Sequence, residues 1–241
     1  MTINPYAINN SSLPTDFDIW WQLQGEWVEE PNDRRGGQSG VQRITHNGQL
    51  LYAKRQTGHI HRNLFHPFGR PTVLREQEAL VGARKAGLTV PEIVYCAAEQ
   101  SAEGWRALLI TKALEGFQPI DEWYAANDRA HYGEPLHQQL LQEVARTLAS
   151  LHKARWQHGC IYIKHIFVRI TGEHSAAVPE VALIDLEKCR RRLTSKQAAM
   201  HDMLQLRRHS PWDQANWQTL VGHYQSAMGR NFAALYNATR R

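Results

Sequence analysis

In the second half of the chain, His158-Gly159-Cys160-Ile161-Tyr162-Ile163-Lys164-His165-Ile166-Phe167-Val168 is followed by an apolar run, Val181-Ala182-Leu183-Ile184, that ends on Asp185. A carboxylate closing such a run is costly to bury unless a metal ion or hydrogen bonds compensate it. Asp185 is therefore a candidate metal ligand, with a turn cap as the plainer alternative. His165 is a second metal candidate, although imidazole suits magnesium less well than a carbonyl oxygen does; a hydrogen bond to phosphate or to Asp185 is its other reading. Lys164, beside it, can reach a terminal phosphate. In the first half, Lys54 lies in Leu50-Leu51-Tyr52-Ala53-Lys54-Arg55, where an ammonium among apolar residues calls for an anionic partner. Glu76 is the candidate partner and Glu78 the alternative. Gly36, Gly37 and Gly40 offer backbone N–H groups to phosphates without an obstructing Cβ, or form an ordinary flexible turn. A phosphate cradle, a cation, a metal and an aligned acceptor are what phosphoryl transfer requires.

These residues need a scaffold, and the pattern of the chain supplies an α+β one. Asp18 to Val28 reads as an extended aromatic-rich segment that Pro31-Asn32-Asp33 breaks. Val41 to His46 and Gln49 to Arg55, joined by Asn47-Gly48, predict a β-hairpin, because both turn residues must accept positive φ. Pro71-Thr72 opens a helix from about Val73 to Ala86, which Gly87 stops. Val90 to Cys96 and Trp105 to Thr111 are strands. Beyond Glu115-Gly116 the period becomes helical, with Leu136, Leu140, Val144, Leu148 and Leu151 on one stripe. Thr194 or Ser195 caps another helix through Leu206, and Ser210-Pro211 starts a further one. Asp202 lies on the first of these, in a structural role.

The segment around Cys160, His165 and Asp185 resembles the catalytic loop and metal-binding strand of kinase-type phosphotransferases. Those enzymes carry His-Arg-Asp, then Asn five residues after the Asp. Arg75-Glu76, Leu109-Ile110-Thr111, His158 to Val168 with Tyr162-Ile163-Lys164-His165, Ile184-Asp185-Leu186 and Asp202 together resemble the lipopolysaccharide kinase family (Kdo/WaaP type), most of all its InaA-like branch. The resemblance implies a bilobal protein-kinase-like fold, with residues 16–112 as a sheet lobe containing one helix and 113–241 as a mainly helical lobe. It also implies ATP and Mg2+ as cofactors and a core sugar of bacterial lipopolysaccharide as acceptor, at the inner face of the cytoplasmic membrane. Carried over residue by residue, Lys54 and Glu76 become the ATP-positioning pair, Asp185 the magnesium ligand with His165 beside it, Thr111, Lys112 and Ala113 the hinge along adenine, and Asp202 the brace of the catalytic loop.

The departure from the family pattern is local. His158-Gly159-Cys160 stands where active members have His-Arg-Asp, so the acceptor-side carboxylate and its arginine are absent. A thiol of pKa about 8.5 is a weak base near neutrality. Cys160, His158 and Lys164 are the catalytic candidates, and a small buried cysteine is the other fate of Cys160. Transfer depends chiefly on alignment and charge stabilisation, so the loop change leaves two readings: a phosphotransferase with an altered loop, or a pseudokinase that binds nucleotide or a partner.

The bulk properties narrow the class. The formal charge of +5, with basic residues dense from Lys188 to Arg192 and at Arg240-Arg241, suits an anionic ligand or an acidic membrane surface; a nucleic acid is the less favoured partner. Cys96, Cys160 and Cys189 are too scattered for a disulfide framework or a structural zinc site, and most of the thirteen histidines are expected at the surface. Met1 to Thr15 lacks the pattern of a secretory signal, and no apolar run approaches the roughly 20 residues of a membrane span, which points to a cytoplasmic protein. Trp123, Tyr124, Trp212 and Trp217 offer sugar-stacking surfaces, with core packing the more ordinary role.

Overall fold

The computed structural model describes residues 16–34, 36–63, 66–172 and 176–239; Met1 to Thr15, Arg35, Arg240 and Arg241 fall outside them. The chain forms two compact units, one running through Leu80 and taking up Pro91–Ala113, the other made of Val81–Val90 and Leu114–Arg241.

The first unit opens with α1, Phe17–Gln22, capped by the Asp16 side chain, and β1, Glu26–Arg34. Here the expectation of one extended segment ending at Pro31 is corrected twice. Asp16 accepts from the Asp18 N–H and so starts a helical turn, and register shifts along β1 let the strand pass Pro31. β2, Gly37–His46, and β3, Gln49–Thr57, form the expected hairpin, with Asn47 at φ 49° and Gly48 at φ 74°. The short β4, Ile60–Asn63, and β5, His66–Pro71, lead into α2, Thr72–Lys85, after which Gly87 takes φ 81°. β6, Ile93–Ser101, and β7, Gly104–Lys112, complete an antiparallel sheet of order β1-β2-β3-β7-β6. Phe17 and Trp20 of α1 pack with Ile44, Leu51, Ala53, Tyr95, Leu108 and Ile110. Alternation along β3 sends Leu51, Ala53 and Arg55 towards this core and Lys54 and Gln56 to the other face.

In the second unit, β8, Gln118–Pro119, precedes α3, Ile120–Ala125, and the long α4, Asp128–Lys153. α4 is interrupted by Gly133 at φ 79°, just before Pro135. Its predicted stripe of Leu136, Leu140, Val144, Leu148 and Leu151 is buried throughout. β9, Trp156–Gln157, introduces the His158–His165 loop, which closes on a short 3-10 turn, Ile163–His165. β10, Ile166–Thr171, and β11, Val178–Leu183, then form an antiparallel pair that delivers Asp185. Thr89 supports β11 by accepting from the Leu183 N–H at 3.1 Å. Beyond β12, Arg190–Arg191, lie α5, Ser195–His209, α6, Gln214–Met228, and α7, Ala233–Tyr236.

Thr194 caps α5 by accepting from the Gln197 N–H at 3.2 Å. The start expected at Ser210-Pro211 is corrected to Gln214, because Asp213 accepts from the Asn216 N–H at 2.8 Å and is the true cap. Trp123, Trp212 and Trp217 are buried, and the Tyr124 hydroxyl bonds the Trp212 indole N–H at 2.7 Å, so these aromatics are packing. Among the described residues five histidines are buried, at 59, 137, 152, 158 and 165. No helix among the described residues is long and apolar enough to cross a membrane.

Candidate functional site

Two constellations hold the chemistry-bearing residues, one in each unit. In the first, Gln56 faces the start of α2: its amide donates to Thr72 Oγ1 at 2.7 Å, and its carbonyl accepts from the Val73 N–H at 3.1 Å. Two residues back along β3 is Lys54, and one helical turn on from Thr72 is Glu76; the two advances are of similar length, about 6 Å. Anchoring Gln56 to Thr72 therefore brings Lys54 opposite Glu76, and Lys54 Nζ lies 2.8 Å from Glu76 Oε2. Glu78 points elsewhere, to Arg70 at 2.7 Å. Gln56 was not singled out by sequence reasoning, although its place on the Lys54 face was the available signal.

The three glycines divide. A Cβ on Gly37 would lie 2.2 Å from the Thr57 carbonyl oxygen, and one on Gly40 would lie 2.8 Å from the Trp27 ring. Both absences of a side chain thus serve the sheet's own packing. Gly36, at φ 74°, has open space around it and lines a concavity of about 600 Å3 with Gly58, Ile60, His61 and Arg62. At the end of β7, Thr111 pairs with Tyr52, and the Ala113 N–H donates to the Leu50 carbonyl at 2.9 Å.

The second constellation is built around a fully buried Asp202 on α5. It accepts from the His158 and Gly159 N–H groups at 2.5 and 3.0 Å and is contacted by His152 Nε2 at 3.2 Å. Burial alone would raise its pKa, but the His152 hydrogen bond, the charges of His152 and His158 and the Gly159 amide outweigh this and hold it at about 2. The carboxylate thereby fixes the loop from below. The Ile161 N–H is tied in turn to Gln205 Oε1 at 3.0 Å.

His158 is also fully buried, and its Nε2–H donates to the Ile184 carbonyl at 3.0 Å, joining the loop to the strand that carries Asp185. Burial pushes its pKa down, against the opposing pull of Asp202 and Asp185, and the ring holds a structural hydrogen bond. Asp185 itself adopts φ 56°, ψ 56°, a conformation uncommon for a side-chain-bearing residue, and its carboxylate lies 3.5 Å from His165 Nε2. His165 Nδ1 is 2.7 Å from the Cys160 carbonyl oxygen. Since a carbonyl only accepts, Nδ1 bears the hydrogen, and in the neutral ring Nε2 presents its lone pair.

Cys160 is 6% exposed, and Lys188 Nζ donates to its sulfur at 3.5 Å. Burial raises the thiol pKa; Lys188 opposes without reversing it. Sγ of Cys160, a ring nitrogen of His165 and a carboxylate oxygen of Asp185 all lie within 4.8 Å of one another. Of these donors only the Asp185 oxygens suit magnesium, which is bound through oxygen. Lys164 is exposed beside them.

Away from both, Arg155, Arg191, Arg192, Leu193 and Gln197 line an open depression of about 390 Å3, in which Arg191 stacks on Trp156.

Comparison with known proteins accounts for the fold. WaaP, solved in complex with acyl carrier protein, matches with a TM-score of 0.67 over 87% of this chain and 82% of its own at 20% identity, a likeness that establishes a kinase-like α+β fold. Protein InaA of Escherichia coli (strain K12) is 40% identical over 210 residues, 87% of this chain and 95% of that protein. The family profile described as lipopolysaccharide kinase (Kdo/WaaP) matches residues 18–224. Spanned by that profile for most of its length, this chain belongs to the lipopolysaccharide kinase (Kdo/WaaP) family.

Proposed function

We propose that this protein is an ATP-dependent phosphotransferase acting on a hydroxyl of a lipopolysaccharide core sugar, with a catalytic loop that slows the acceptor-side step. The observation that carries this reading is the Lys54–Glu76 pair at 2.8 Å, because a strand lysine steadied by a helix glutamate is the device that directs an ammonium at α- and β-phosphates. Asp185 would hold magnesium through its carboxylate. When bound, magnesium neutralises charge that builds on the phosphates. Gly36 borders the phosphate end. Thr111 and Ala113 flank the adenine through their carbonyls and side chains, since the Ala113 N–H is already donated to Leu50. Lys164 is placed to meet the transferred group, and His158 acts as a positioning residue through Ile184.

The buried, upshifted thiol of Cys160 favours a second reading, a pseudokinase that binds nucleotide and does not transfer it. The arginine-lined depression supports peripheral contact with an anionic membrane face, where a lipid-linked acceptor resides.

Calorimetric titration with ATP and magnesium, followed by assay of phosphate transfer to core sugars, separates these readings. Binding that weakens at least tenfold in Lys54→Met, together with transfer that vanishes in Asp185→Ala, is the expected result. Binding without transfer selects the pseudokinase, and absence of binding removes both.

A further inference from the structure

The loop cysteine does more than vacate the place of a carboxylate. We propose that Cys160, His165 and Asp185 form a three-donor site for a thiophilic divalent cation of the zinc class, with the Cys160 thiolate as a ligand. This goes beyond the phosphotransferase reading and does not rest on it.

The donor set is the first ground. Thiolate, imidazole and carboxylate together are the ligands that zinc and cobalt favour and magnesium does not. Their atoms lie within 4.8 Å of one another, close enough for small side-chain rotations to bring all three onto one ion. The orientation of His165 is the second ground. Its Nδ1–H is held by the Cys160 carbonyl at 2.7 Å, the outer hydrogen bond that fixes the tautomer of metal-ligating histidines, and Nε2 faces the Asp185 carboxylate at 3.5 Å. One residue thus shapes the site twice, through its carbonyl on the ring and its sulfur on the ion.

Charge and exposure agree with this assignment. Cys160 and His165 are buried, whereas the Asp185 side chain is 35% exposed, so the site is enclosed on two sides and open on the third. That leaves a fourth position for water or a ligand atom, the arrangement of zinc sites with three protein donors. A thiolate and a carboxylate match a divalent ion in charge, and Lys188, 3.5 Å from Sγ, donates to the sulfur from outside the donor set. Coordination releases the thiol proton to solvent. Asp185 is shared with the proposed magnesium role, but the thiolate and imidazole hold a thiophilic ion far more strongly than magnesium, so magnesium alone does not displace it.

X-ray absorption at the zinc edge of the full-length wild-type protein, loaded with less than one equivalent, reads the ligand directly. A sulfur scatterer at about 2.3 Å is expected. Scattering from nitrogen and oxygen alone, the pattern of surface histidines, overturns the proposal. Cobalt titration gives an independent measure through the thiolate-to-cobalt absorption band. The band should persist in Cys96→Ala and in excess magnesium. In Cys160→Ser affinity should fall by at least the roughly 100-fold that loss of even an outer partner can cost, and the band should vanish. A band retained in Cys160→Ser, or abolished by magnesium, counts against the site. Because the absorption experiment uses unaltered protein, poor folding of a variant leaves it decisive. Neither measurement uses nucleotide, so failed ATP binding would remove the kinase reading alone.

Discussion

The Lys54–Glu76 pair and the Cys160–His165–Asp185 group reach their geometry by different routes. The first stands on a strand and a helix, and its register comes from a neighbour two residues away, Gln56, clamped to the start of α2. The second stands on a loop and a strand end, where no repeating hydrogen-bond pattern fixes side-chain direction. It relies on a buried carboxylate some forty residues later in the chain, Asp202, to hold the His158 and Gly159 amides, with His158 bonded to Ile184. Regular elements place a side chain through local periodicity, while a loop site must be held from outside. The first arrangement therefore needs few supporting residues. The second carries a thiol at Cys160 on supports that come from elsewhere in the chain.

The sharpest way to break this contrast is to remove the external support. Asp202→Ala should destabilise the protein by about 3 kcal/mol, because two buried N–H groups and His152 lose their partner at once. Denaturant unfolding measures it, and a loss no larger than that of a surface substitution would mean the loop is self-supporting. Placing a carboxylate in the loop is next: Cys160→Asp should raise sugar phosphorylation on the order of 100-fold, the scale of a positioned acid–base group. An unchanged rate would show that the loop difference lies elsewhere than at this position.

Acid tests the same support without a mutation. The Asp202 pKa is depressed to about 2, so its contribution is complete above its unfolded value of about 3.9 and is lost as pH falls from there towards 2. Stability followed through that window should fall more steeply in wild type than in Asp202→Asn.

On the first constellation the effects are smaller. Lys54→Met should cost about 1–2 kcal/mol by leaving Glu76, 9% exposed, without its ammonium. Glu78→Gln, which loses only the half-exposed pair with Arg70, should cost less than about 0.5 kcal/mol. Equal costs for the two would erase the distinction between the ion pair under β3 and an ordinary surface one.

Legibility followed the range of the interaction that fixes each feature. The Asn47-Gly48 hairpin, α2 with its Gly87 stop, and the apolar stripe of α4 were readable because each depends on residues within a few positions. Errors fell where a short polar side chain captured a nearby N–H group. Asp16 turned an aromatic-rich stretch into α1, and Asp213 displaced the start expected at Ser210-Pro211. Cysteine spacing is silent on the cluster of Cys160, His165 and Asp185, because such rules describe ligands paired along the chain, whereas Asp185 arrives twenty-five residues after Cys160, across the β10–β11 pair.

By itself, then, the sequence determined the β2–β3 hairpin, α2 and the apolar stripe of α4, the presence of the lysine, histidine and aspartate, and a thiol at 160. Only the tertiary structure decided that Glu76 rather than Glu78 meets Lys54, that Asp202 holds the loop by the His158 and Gly159 amides, and that the sulfur of Cys160 shares one small volume with His165 and Asp185. Residue type and local periodicity are written along the chain, but a partner is chosen by which backbones pack together, and burial then makes that choice energetically binding.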